Sequence, residues 1–82
     1  MPPKTSDLYD DTAHSYSLTA DMDRSLGSLA FSLGENDLAS GRWGDAGTAF
    51  SEGAQYYAEA AYADAVASVY RSIANVLRAV GR

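Results

Sequence analysis

Small residues recur every seven positions in the second half of this chain. Ala46, Gly53, Ala60, Ala67, Ala74 and Gly81 form one row, and Ala49, Tyr56, Ala63, Tyr70 and Leu77 follow three residues on. A seven-residue repeat with a three-residue offset is the seam of packed α-helices. A seam of alanine, glycine and tyrosine in place of leucine predicts a short interhelical distance. The first half carries a shorter small row, Ala13, Ala20, Gly27 and Gly34. Beside it runs an apolar stripe of helical period. Leu8, Ser15, Met22 and Leu29 are seven apart, with Thr12, Thr19, Leu26 and Leu33 four residues further on. Gly27 in mid-helix costs about 1 kcal/mol against alanine, which calls for a packing reason.

The pattern predicts an all-α fold, an antiparallel two-helix hairpin in a single domain over residues 1–82. Residues 1–5 form a flexible arm, 6–40 the first helix, 41–44 the turn and 45–80 the second helix. Ser6 is the expected N-cap of the first helix. Asp7, Asp10 and Asp11 follow it and complement the positive end of the helix dipole. A divalent-metal site is the rarer alternative for these acids, and Asp21 and Asp23 point to different faces and do not extend it. The first helix stops either at Gly34, as a C′ glycine, or at Gly41, in phase with Gly27 and Gly34. Gly44 or Asp45 is the expected cap of the second helix.

Beyond Tyr62 the apolar face of the second helix widens. Tyr62, Val66, Val69, Ile73, Val76 and Val80 add a row to the seam residues Tyr70 and Leu77. One neighbouring helix cannot cover so broad a face. These eight residues are therefore the expected interface for dimerisation or for a different protein, the alternative being that the first helix lies over them. The expected close-packing positions between helices are Ala13, Ala20, Gly27, Gly53, Ala60, Ala67 and Ala74.

Charge supports the antiparallel sense. The chain carries net −5, with eleven acids and three bases in residues 1–64 and three arginines without an acid in 65–82. An antiparallel hairpin sets Asp7, Asp10 and Asp11 beside Arg71, Arg78 and Arg82, a contact that selects orientation more than it adds strength. The acidic balance argues against nucleic acid as partner. Cysteine is absent, and the one histidine, His14, lies in a polar stretch. No disulfide, thiolate metal site or histidine-rich site follows from such a composition. No nucleophile–base–acid set and no phosphate-binding glycine loop is present, so no enzyme, cofactor or metal is expected. The first eleven residues have no apolar core, and no run reaches membrane-span length. The expectation is a protein made in the cytoplasm, and if exported, exported without a cleavable signal. The six tyrosines, four of them in the second helix, suit a protein-contact surface.

The turn region Trp43-Gly44-Asp45-Ala46-Gly47-Thr48-Ala49-Phe50 resembles the W-x-G turn and following helix start of the small WxG-type proteins of type VII (ESX) secretion. The resemblance covers the whole chain in layout and about ten residues in motif, with Trp43, Gly44 and Phe50 as its marks. It implies a helical hairpin that forms a homodimeric or heterodimeric four-helix bundle. Trp43 would pack at the end of that bundle and Gly44 would permit the tight turn. Here Trp43 and Gly44 are adjacent, one residue short of W-x-G. No tyrosine is followed four residues on by an acid, as the family's export signal requires. Export would then depend on a partner's signal. A structural adaptor of a larger phage or bacterial assembly, and a small regulator that masks another protein's helix, are the alternatives.

Overall fold

The computed structural model describes residues 2–82, and Met1 of the expected arm lies outside them. Two helices, α1 (Thr5–Ala39) and α2 (Trp43–Ala79), pack antiparallel as a hairpin. The hairpin measures 60 × 19 × 11 Å.

The seam is built from the small rows. Ser6, Ala13, Ala20, Gly27 and Gly34 of α1 are buried, as are Ala46, Gly53, Ala60, Ala67 and Ala74 of α2. The buried apolar side chains are all alanines. With nothing larger than a methyl or hydroxymethyl group between them, the helices come close enough for ring faces to lie over glycine. A Cβ on Gly53 would sit 2.8 Å from Phe31 and 3.2 Å from the Gly27 carbonyl oxygen. On Gly34 it would sit 2.7 Å from the Phe50 ring. Phe31 packs on Phe50 and on Tyr57, each at 5.5 Å between ring centres. Toward the open end Tyr70 packs on Tyr9 at 5.6 Å and on Tyr16 at 5.9 Å. Aromatic pairs at these separations contribute about 0.5–1.5 kcal/mol each beyond area burial.

The leucine stripe of α1 does not face α2. Leu8, Met22, Leu26, Leu29 and Leu33 are exposed. The seam admits only small residues, and a leucine there would push the helices apart and lift the rings off their glycines.

Both helices end in the same way. The Arg42 N–H donates to the Asp37 carbonyl at 2.8 Å and the Gly41 N–H to the Leu38 carbonyl at 3.0 Å. The Arg82 and Gly81 N–H groups repeat the pattern on Leu77 and Arg78. This is the Schellman closure, and it needs a left-handed residue at C′. Gly41 and Gly81 supply it at φ 74° and 79°. The first helix thus runs through Gly34 and stops before Gly41. The reversal is complete within Ser40–Arg42, so α2 begins at Trp43. Trp43 and Gly44 are helical, neither Gly44 nor Asp45 caps α2, and the tight turn belongs to Gly41.

Ser6 is not the N-cap of α1; that position is Lys4, without a side-chain hydrogen bond. Ser6 lies inside the seam. Its N–H donates to the Arg82 carbonyl at 3.1 Å, joining the two ends of the hairpin. Its hydroxyl is fully buried and has no partner among the described residues.

Three substitutions test this packing. Gly53→Ala should destabilise by roughly 1–2 kcal/mol despite its better helix propensity, because the new methyl meets a ring and a backbone oxygen. Gly47→Ala, whose Cβ would enter open space, should stabilise by about 0.5–1 kcal/mol. Thermal melts followed by circular dichroism measure both, and equal effects at the two sites would refute the close approach. Ser6→Ala removes an unpaired buried hydroxyl and leaves the backbone bond intact. It should be neutral or stabilising by up to about 1 kcal/mol in urea titration.

Candidate protein-docking face

The seam divides the hairpin surface into two long edges with different chemistry. One edge is closed by side-chain contacts between residues seven apart on each helix. Asp10, Ser17, Arg24 and Phe31 of α1 meet Phe50, Tyr57, Asp64, Arg71 and Arg78 of α2. The Arg24 guanidinium donates to Asp64 at 2.6 Å and to Asp21 at 2.5 Å. These carboxylates, Asp64 first and Asp21 second, raise its pKa above the usual arginine value. Arg71 donates to the Ser17 hydroxyl at 2.5 Å, and Arg78 pairs with Asp10. Of the expected acid–arginine contacts, Asp10–Arg78 is formed. Asp7 and Asp11 have no ion-pair partner among the described residues.

The opposite edge is open and largely apolar. It carries Leu26 and Leu33 of α1, flanked by Leu8, Met22 and Leu29. From α2 it carries Val66, Ile73 and Val80, flanked by Tyr62, Val69 and Val76. Met22, Leu29, Tyr62, Val69, Val76 and Val80 are each 58–70% exposed. Ile73 and Leu26 are at the margin of exposure, and Val66 is half-buried. The hairpin register, seen in the Gly27–Gly53 approach and the Ser6–Arg82 bond, places Met22, Leu26, Leu29 and Leu33 toward the turn, and Leu8 with the α2 group toward the open end. The apolar surface therefore crosses the edge diagonally. Glu52 and Glu59 lie beside the α1 group, and Thr12 and Thr19 beside the α2 group.

At the middle of this edge is a hollow lined by Tyr16, Thr19, Asp23, Glu59, Tyr62 and Ala63. Asp23 is 9% exposed and neither pairs nor hydrogen-bonds with any described residue. It continues the row Tyr9, Tyr16 and Ala30, seven residues apart, whose members are half-buried or buried.

The sequence-predicted positions fall into three groups. Ala13, Ala20, Gly27, Gly53, Ala60, Ala67 and Ala74 all lie in the seam. Tyr62, Val66, Val69, Ile73, Val76 and Val80 lie on the open edge. Tyr70 and Leu77 are half-buried against α1 instead, and Tyr70 belongs to the stack with Tyr9 and Tyr16. Trp43 is 70% exposed in the first turn of α2 and packs on no bundle end within the hairpin. Phe50 lies over Gly34. The exposed leucines of α1 were missing from the predicted interface. The small row beside them was the signal, since two rows on one helix cannot both face the same neighbour.

Among the described residues no three or more His, Asp or Glu side chains are grouped to hold a metal ion, and no helix is long and apolar enough to cross a membrane. Compared with protein-family models, with curated proteins and with solved structures, the chain matches none.

Proposed function

We propose that this chain is a non-enzymatic interaction module whose open edge packs against a second helical hairpin to complete a four-helix bundle. The partner is either another copy or a related chain, as in the WxG-type type VII secretion proteins that the Trp43–Phe50 stretch resembles. The observation that carries this reading is the diagonal apolar edge. Leucines from α1 and valines from α2 converge on one side, while the other side is closed by ion pairs and rings. Large contiguous apolar patches on small proteins mark contact surfaces. A hairpin with an alanine core also gains stability from burying them, because a small single layer of helices buries little of its own surface. Trp43, exposed at the turn, adds an aromatic handle of the kind enriched in interface centres. Its position at the pole of the rod suits contact with a further component of an export or assembly complex.

Leu29→Asp combined with Val69→Asp tests the face. Both side chains are solvent-exposed in the single hairpin, so helicity should be retained while the native mass of the assembly falls to that of one hairpin. A photo-crosslinking residue at Val69 should join the chain to another helical hairpin, and the same residue at Ala61, on the far side of α2, should not. A chain isolated from its source as a single hairpin, with no crosslink from Val69, would refute the reading.

A further inference from the structure

We infer that the hollow at the middle of the open edge is a socket for a cationic side chain, arginine or lysine, presented by a partner helix that is not a second copy of this chain. The inference rests on the docking face proposed above and specifies its partner.

Asp23 is nine-tenths buried, unpaired and part of the hollow's lining. Its carboxylate opens onto the hollow, so a partner helix that covers the hollow strips it of water, which is costly unless that partner supplies a counter-charge. Glu59 lines the same hollow from α2 and is likewise unpaired among the described residues. Tyr16 and Tyr62 add ring faces, which attract guanidinium and ammonium groups. The Thr19 hydroxyl donates to the Ser15 carbonyl at 3.1 Å and keeps its lone pairs for a further donor. Two carboxylates, two rings and a hydroxyl acceptor match the fork of an arginine better than any neutral side chain.

This chain cannot fill the socket of a second copy in register. Arg24, Arg71 and Arg78 are engaged on the closed edge, and Arg42 pairs with Asp37 at the turn. Lys4 and Arg82 lie at the open end, far from the middle. His14 is exposed and lies nearer the open end than Asp23 does. Asp23 and Glu59 sit near the midpoints of α1 and α2. A two-fold arrangement of two copies, parallel or antiparallel, therefore sets Asp23 and Glu59 against their own counterparts. Four carboxylates in an otherwise apolar contact repel one another. The apolar edge favours association, and the charge at its centre selects against self.

The test uses full-length chains and sedimentation equilibrium at neutral pH. Asp23→Asn with Glu59→Gln should self-associate at least about tenfold more tightly than the unaltered chain. A charge-swapped copy, Asp23→Asn with Glu59→Arg, serves as the surrogate partner. Mixed with the unaltered chain it should form a one-to-one pair at least about tenfold tighter than either forms alone, and added salt should weaken it. Glu59→Arg alone, at an exposed position, repeats the mixing arm without touching the buried site, and helicity is checked for each chain. Unaltered chains that dimerise as tightly as the neutralised variant, with no preference in the mixture, would overturn the socket and leave the docking face standing. Absence of association in every arm would overturn the docking face and the socket together.

Discussion

The close approach of α1 and α2 is the constraint from which the rest of this molecule follows. Glycine, alanine and one serine occupy every seventh position of the seam, and a helix pair this near has no room for a branched or long side chain between its backbones. Large residues are displaced to the two edges. The rings of Phe31, Phe50 and Tyr57 fold over glycines on one of them. The leucines of α1 and the valines of α2 go to the other and remain in water. An alanine core thus produces a structural layer that is tight inside and unfinished outside.

The edges also divide the charge. Every arginine within the body of the two helices donates to an oxygen on the closed edge. Such exposed pairs add little stability individually, but they remove positive charge from the apolar side. That side retains only carboxylates, and one of them is buried. On the proposed docking face, electrostatics would contribute to partner choice in a molecule whose fold depends chiefly on shape.

The hairpin architecture was legible because the heptad row of small residues is long and regular, and a period of seven over five repeats has few other meanings. The inward stripe of α1 was harder to identify. Hydrophobicity alone points to Leu26, Leu29 and Leu33, whereas the inward face is decided by what fits against Gly53 and Ala60. The turn was displaced by a few residues for a similar reason. Gly41 and Gly44 are equally permissive in sequence, and only the Schellman closure on Asp37 and Leu38 distinguishes them. Ser6 reads as a cap by residue type, yet the docking of Arg82 across it makes it a core residue. Asp23 was passed over as a candidate site because residue type alone reads an aspartate as a surface group, although it continues the inward row of Tyr9, Tyr16 and Ala30.

Uniform teeth let a zipper slide. A repeat of small residues every seven positions would accept α2 shifted along α1 by one period, about 10 Å, with alanine still meeting alanine. The three ring-over-glycine contacts prevent this. Phe50 needs Gly34, Tyr57 needs Gly27 and Phe31 needs Gly53, and a shift of one repeat would bring at least one ring against a methyl-bearing neighbour. Those glycines, which weaken each helix taken alone, thereby select a single alignment of the pair, and with it the one alignment in which Asp23 and Glu59 share a hollow.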